Sequence, residues 1–366
     1  MIKSAPQPLR SRPTVSVVIP CYKYGHFLPT CVRSVLEQED VDVDVLIIDD
    51  ASPDDSADIA RRIAAEDDRV RVAVHEVNQR HIATYNEGLA CATGEYVLLL
   101  SADDMLAPRG LANAAALMQT HPEVGLVYGF TRSFSNEPPA ARVSPRSWSI
   151  WSGQEWLGLL CRHVSNPIYT PEAVMRTKTL QDLVGYDARL PHAADFLMWL
   201  RTATRGSIGR VNGVDLAYYR QHGENMHKEL YPGALRDLTE RNLAFGVLFD
   251  EDGDRLADVA RLRSAARRGV AREALFIAQQ AYYQGGRPTE EEAEVLARLV
   301  AFAEQICPES RTFGLRRSYE TLVARARRGK GPLVPAHVLA LRDRAVGHLR
   351  WRRWRRTGIE VGAGAC

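Results

Sequence analysis

The run Tyr96-Val-Leu-Leu-Leu-Ser-Ala-Asp103-Asp104 is an apolar strand that ends in two carboxylates. Two carboxylates at the end of a buried strand are costly unless they meet a cation or a ligand hydroxyl. Two earlier segments end in the same manner. Val15-Ser-Val-Val-Ile19 runs into Pro20-Cys-Tyr22, and Val45-Leu-Ile-Ile48 runs into Asp49-Asp50. Between them, Phe27 to Gln38 carries apolar residues at helical spacing, and Asp55 to Ala65 follows a Ser52-Pro53-Asp54 turn that can cap a helix. Strand alternating with helix predicts a parallel, doubly wound α/β sheet. Ligands of such sheets bind beyond the carboxyl ends of the strands, where the three polar clusters fall.

The chain has 366 residues, 45% of them hydrophobic, enough for a sizeable core and for two domains. Its net charge of +2 gives no general affinity for nucleic acid. Cysteines 21, 31, 91, 161, 307 and 366 lack metal-ligand spacing and read as structural thiols in a reducing compartment. No segment approaches the roughly 20 apolar residues of a membrane span, and Met1 to Pro6 lacks a signal-peptide apolar region. A cytoplasmic protein is expected.

Residues 1–13, with three prolines and no periodicity, read as a flexible arm. Residues 14–230 form the α/β domain, with a further strand at Val124 to Tyr128 and a surface loop from Thr131 to Trp151. Residues 231–366 read as a smaller helical domain, in which Thr289 and Glu292 form a capping box for a helix to about Gln305. Val338, Leu341, Ala345 and Leu349 share one helical face ahead of the Trp- and Arg-rich run Arg350 to Arg356. That tail suits peripheral contact with an anionic membrane, contact with a second copy or another partner, or no specific role. Trp148, Trp151 and Trp156 suit either an acceptor surface or core packing.

Five segments, taken in order, resemble the family-two inverting glycosyltransferases. They are Val15-Ser-Val-Val-Ile-Pro-Cys-Tyr22, Ile47-Ile-Asp-Asp-Ala-Ser52, Gly94 to Asp104, Asp195-Phe-Leu-Met-Trp-Leu-Arg201 and Tyr219-Arg-Gln-His-Gly-Glu-Asn225. Together they cover about residues 14–227. The resemblance implies a GT-A fold, a Rossmann-like and mostly parallel sheet flanked by helices, that uses a nucleotide sugar. It implies Mn²⁺ or Mg²⁺ held by Asp104 and reached by His222, with Asp103 on the ribose. By the same match Pro20 and Tyr22 wall a base pocket, Asp50 accepts from the base imino group of a UDP- or dTDP-sugar, and Arg80 is a basic nucleotide contact. Asp195 is the expected general base toward the acceptor, which is a glycan, a lipid-linked saccharide, a peptide or a small molecule.

The chain departs from the family at three places. Ser101 stands where the family's Asp-X-Asp triplet begins, Ala194 replaces a common glutamate, and His227 replaces a common serine. Asn225 is expected only to shape its turn, and Asp49 suits a turn-forming hydrogen bond as well as a ligand contact. The first two departures leave a competing reading, a degenerate nucleotide-sugar-binding or scaffolding protein. A nucleotidyltransferase is disfavoured because no Gly-rich phosphate loop follows the first strand. Without a membrane span or a Gln-X-X-Arg-Trp motif, non-processive transfer is expected.

Overall fold

The computed structural model describes residues 1–223, 233–284 and 288–330, with Ala345, His348, Leu349 and Arg352. The chain divides into two compact units, Met1–Trp156 with Ile168–Lys228, and Leu157–Pro167 with Glu229–Cys366.

In the first unit the expected α/β order is present. Strands β1 (Ile2–Ser4), β2 (Thr14–Cys21), β3 (Asp42–Asp49), β4 (Val70–Val74) and β5 (Tyr96–Leu99) alternate, after β2, with helices α1 (Leu28–Leu36), α2 (Ser56–Glu66) and α3 (His81–Ala90). Strand β2 lies between β3 and β5, and β4 pairs with β3, all parallel. The chain continues through β6 (Met105–Leu106), α4 (Gly110–Thr120), β7 (Val124–Tyr128), β8 (Thr131–Phe134), β9 (Ser147–Trp151) and β10 (Val174–Arg176). It ends the unit with α7 (Ala194–Arg205), β11 (Ser207–Asn212) and β12 (Ala217–Arg220), after α5 (Gly153–His163) and the five-residue α6 (Thr177–Gln181). The large sheet has the order β1-β9-β11-β7-β10-β5-β2-β3-β4, and β6-β12-β8 form a small second sheet.

Apolar runs explain the centre. Val15, Val17, Ile19, Val45, Ile47 and Leu98 are buried, as parallel strands covered on both faces require. Gly94 opens the strand that leads to the acidic pair, and a side chain there would meet the Ser16 amide nitrogen at 2.7 Å. Ser16 itself seals that approach, because its buried hydroxyl accepts from the Thr93 and Gly94 N–H groups at 3.1 and 2.9 Å.

Several expectations change. Residues 1–13 are not a loose arm: Ile2–Ser4 adds an edge strand against β9, and the Arg10 N–H donates to Gln119 Oε1 at 2.8 Å. A three-residue strand among prolines carries too little alternation to be read beforehand. The segment from Thr131 to Trp151 contains two strands rather than a single loop. Trp148, Trp151 and Trp156 are core residues, 1%, 2% and 0% exposed, so they do not line an acceptor surface.

The second unit is built from the helices Ala234–Glu251, Val259–Gln284, Glu290–Ile306 and Gly314–Arg327. The Thr289–Glu292 capping box is formed, with the Glu292 N–H donating to Thr289 Oγ1 and the Thr289 N–H to Glu292 Oε2. The sequence assigns Leu157–Pro167 to the first domain, whereas it clusters with these helices. Gly269 permits this, since a Cβ there would stand 2.4 Å from Val164 and 3.0 Å from the Cys161 carbonyl oxygen. No described helix is long and apolar enough to cross a membrane. The apolar face expected from Val338 to Leu349 and the basic run to Arg356 lie almost wholly outside the described residues.

Cys21, Cys31, Cys161 and Cys307 are buried free thiols, and burial pushes Cys21 and Cys161 up to about 12. They are inert packing groups.

Ser16→Ala leaves the buried Gly94 N–H and the neighbouring Thr93 N–H without this acceptor and is expected to cost about 2 kcal/mol. Urea denaturation measures the loss, and ligand affinity of the folded fraction is expected to stay at the wild-type value.

Candidate active site

The carboxyl ends of β2, β3, β4 and β5 form one edge of the sheet, because these strands are parallel. Asp103 and Asp104 follow β5 there and are 6% and 1% exposed. The small sheet brings their partners. Strand β12 pairs antiparallel with β6 in the register Tyr218↔Met105, so residues after Tyr218 run beside residues before Met105.

The contacts follow from that register. The Arg220 N–H donates to Asp104 Oδ1 at 2.9 Å, and Arg220 Nε donates to the Asp103 carbonyl oxygen at 2.9 Å. The Arg220 guanidinium lies over the rings of Phe27 and Phe134, with its carbon 4.9 and 4.5 Å from their centroids. His222 Nε2 sits 3.0 Å from Asp103 Oδ2, and its ring packs on Phe27 at 5.0 Å and edge-on to Tyr24 at 5.5 Å. Burial pushes the Asp104 carboxyl well above the usual carboxylate range, the neighbouring Asp103 charge adds to the push, and Arg220 opposes it.

The donor set fits a hard divalent cation. Among the described residues no cluster of three or more His, Cys, Asp or Glu side chains forms a metal cage. Mg²⁺ and Mn²⁺ need none, because one or two carboxylates, phosphate oxygens and water complete their shells. Asp104 is placed to offer such a carboxylate, and the His222 imidazole adjoins Asp103 rather than Asp104.

A second cluster lies two strands over, on the far side of β2. Asp50 follows β3 and is 4% exposed. Its Oδ1 accepts from the Gln79 N–H at 2.7 Å and stands 2.8 Å from His75 Nδ1. Asn78 Nδ2 donates to the Asp50 carbonyl oxygen, and the Asp50 N–H donates to Cys21 O, which ties this corner to Pro20 and Tyr22. Tyr22 is 42% exposed, a large aromatic face left in solvent beside the cluster. Asp49 serves the turn instead: it is fully buried, and its Oδ2 accepts from the Ser52 N–H at 2.9 Å.

Arg80 precedes α3 with φ 69° and ψ 155°. That region is almost reserved for glycine and costs a side-chain-bearing residue about 1–3 kcal/mol. Strain of this kind is retained where the residue has work to do. Its side chain is exposed, and its carbonyl oxygen accepts from the Thr84 N–H at the start of the helix.

Asp195 occupies the second position of α7 and is half-buried, with Oδ1 accepting from the Phe196 N–H at 2.6 Å. The helix cap is Ala193, and Asp195 is an acid of the first turn. Helix α7 leads through Gly206 into β11, which runs parallel to β7, so its N-terminus faces the same sheet edge. Burial and then the Asp195 charge push the Tyr186 phenol well up, which places the two groups in electrostatic contact. The approach to α7 is pinned by α3: Asn86 exchanges two hydrogen bonds with the backbone of Tyr186, and His81 Nε2 is 2.9 Å from the Pro191 carbonyl oxygen. Helix α3 therefore carries Arg80 at its start and steadies the segment that delivers Asp195.

Sequence reasoning left Arg220, Phe27, His75, Gln79 and Tyr186 without roles. Arg220 stood inside a quoted motif, but its tie to the acidic pair depends on β12 being a strand. His222 is described and Asn225 and His227 lie outside the described residues.

Residues 16–185 match the profile of Glycosyl transferase family 2. An uncharacterized glycosyltransferase of Nostoc sp. is 29% identical over 218 residues, 58% of this chain and 66% of that protein. Chondroitin synthase of Escherichia coli is 27% identical over 219 residues, 59% of this chain and 30% of that protein. The matches thus span less than two thirds of these relatives. The crystal structure of S. aureus TarS 1-349 in complex with UDP-GlcNAc superposes with a TM-score of 0.63 at 16% identity, covering 87% of this chain and 92% of that one. The first unit has the GT-A fold. Over residues 16–185 the chain carries a family 2 glycosyltransferase domain.

Two variants test the site. Asp104→Asn keeps an acceptor for the Arg220 N–H while removing one of two buried like charges. It is expected to raise the melting temperature of the metal-free protein, by roughly 2–4 °C per kcal/mol of relieved repulsion, and to abolish the increment given by Mn²⁺ in thermal shift. Arg80→Gly relieves the backbone and is expected to stabilise the fold by about 1 kcal/mol while weakening UDP binding roughly fivefold.

Proposed function

We propose that this chain is a metal-dependent, inverting glycosyltransferase that moves a sugar from a UDP- or dTDP-sugar to an acceptor nucleophile, non-processively. The observation that carries the proposal is the shared sheet edge, which sets a buried acidic pair beside a clamped Asp50. Support for a uracil or thymine base comes from Asp50. Its Oδ1 is occupied by two donors, and no hydrogen bond from the described residues reaches Oδ2. A carboxylate only accepts, so the base edge it meets must present an N–H, as uracil and thymine do. The UDP-GlcNAc complex of TarS supports the same class of donor.

Each group then has one task. Pro20 and the exposed Tyr22 flank the base, Asp50 reads its imino edge, and Asp103 reaches the ribose. Arg80 meets the nucleotide from the start of α3. Asp104, with His222 alongside, would hold a divalent cation, which when bound would offset the charge that develops on the departing diphosphate. Asp195 takes the proton from the acceptor hydroxyl as that oxygen attacks the anomeric carbon and the bond to the diphosphate oxygen breaks on the opposite face. One displacement inverts the centre. The first turn of α7 stabilises Asp195 as the anion it must be to act as a base.

Asp195→Asn is expected to reduce turnover on the order of 10²–10⁴-fold with donor binding nearly intact, since general-base catalysis contributes about that much. Turnover is read as UDP or dTDP release from a panel of nucleotide sugars, with acceptor candidates from each class. The anomeric configuration of the product, read by NMR, checks inversion. Near-normal turnover removes Asp195 from the role, and a retained configuration removes the single-displacement mechanism.

A further inference from the structure

His75 lies just beyond β4 with a side chain only 7% exposed, and both ring nitrogens face carboxylates. Nδ1 is 2.8 Å from Asp50 Oδ1, and Nε2 is 2.9 Å from Glu87 Oε2 on α3. Ionised carboxylates can only accept, so a ring bonded to both carries a proton on each nitrogen. The ring is an imidazolium joining the ends of two elements. Its own backbone is fixed as well, with the His75 N–H donating to the Asp49 carbonyl oxygen at 2.9 Å.

We infer that His75, held by Glu87, is a positioning residue that fixes the Asp50 carboxylate so that Oδ2 meets the imino N–H of the donor base. The inference rests on the base-pocket reading of Asp50 given above. With His75 Nδ1–H and the Gln79 N–H both on Oδ1, the carboxylate cannot swing, and the free acceptor keeps one direction. Pre-organisation of this kind lowers the ordering cost of binding. The three side chains share no motif: they come from the ends of two strands and from the second turn of a helix.

The charge of the ring gives the arrangement a pH dependence. Burial, the largest influence, acts to lower the His75 pKa, but the hydrogen bonds and charges of Asp50 and Glu87 outweigh it and raise the value above 6.5. Those two carboxylates are the charged groups acting on the ring. A raised folded-state value means the stabilisation is complete below the ordinary value and is lost as pH rises through the folded one.

The test is calorimetric titration of UDP into the full chain from about pH 6 to about pH 8.5, a window that brackets imidazole titration. Wild-type affinity is expected to fall toward the alkaline end. His75→Ala is expected to bind UDP about tenfold more weakly at the acid end, the equivalent of one charged hydrogen bond, with a flat profile. His75→Asn, whose amide can still donate to Oδ1, is expected to recover most of that affinity with the profile still flat. N3-methyl-UDP, which lacks the imino N–H, is expected to bind wild type and His75→Ala equally. A folded His75→Ala that binds UDP as wild type does, or that loses both nucleotides equally, overturns the inference. If His75→Ala does not fold, Glu87→Gln decides the matter: the alkaline fall is expected at lower pH, and an unmoved profile overturns the inference. Wild type that binds neither UDP nor dTDP refutes the base-pocket reading itself, a result distinct from either.

Discussion

Two carboxylates buried side by side at the end of a strand are the constraint around which the site is arranged. Asp103 and Asp104 leave β5 where water cannot fully solvate them. The fold answers with the Arg220 backbone, the Arg220 guanidinium and the His222 ring, all delivered by one register between β12 and β6. These partners hold the pair in place without neutralising it, since Asp104 stays far above the ordinary carboxylate range. An arrangement that retains such a cost is built for a charge that arrives with the ligand. Phe27 and Phe134 flank the Arg220 guanidinium and keep it beside the acidic pair.

The base side follows a different rule. Asp50 is clamped, with Oδ1 taken by two donors. On the proposed function the two clusters divide the work of holding a nucleotide sugar: Asp50 meets the base, and the acidic pair serves the diphosphate end. Helix α3 links them to Asp195, because it begins at the strained Arg80, carries Glu87 to His75, and holds the Tyr186 segment through Asn86. A change of registry in α3 would disturb donor and acceptor sides together.

Much of this was legible in the chain. The parallel core shows in Val15–Ile19, Val45–Ile48 and Tyr96–Leu99, because strands covered on both faces are apolar throughout. The capping box at Thr289 was legible because it is a local pattern with a local mechanism. Strands Thr131–Phe134, Ser147–Trp151 and Val174–Arg176 were not. They are short and rich in Ser, Thr, Arg and Trp, and pairing across the sheet decides them. The tryptophans illustrate the limit, since Trp148 and Trp151 pack inward only once β9 is placed between β1 and β11. His75 was invisible for a similar reason: its partners lie 25 and 12 residues away, and Val70–Val74 was not recognised as the strand that delivers it.

The central claim is that the acidic pair is completed by a cation and a diphosphate arriving together. Calorimetric titration of the purified chain with UDP and with dTDP, each with and without Mn²⁺, tests it most directly. The account predicts binding that strengthens markedly when Mn²⁺ is present. Nucleotide affinity indifferent to the metal, or no binding of either nucleotide, would contradict it.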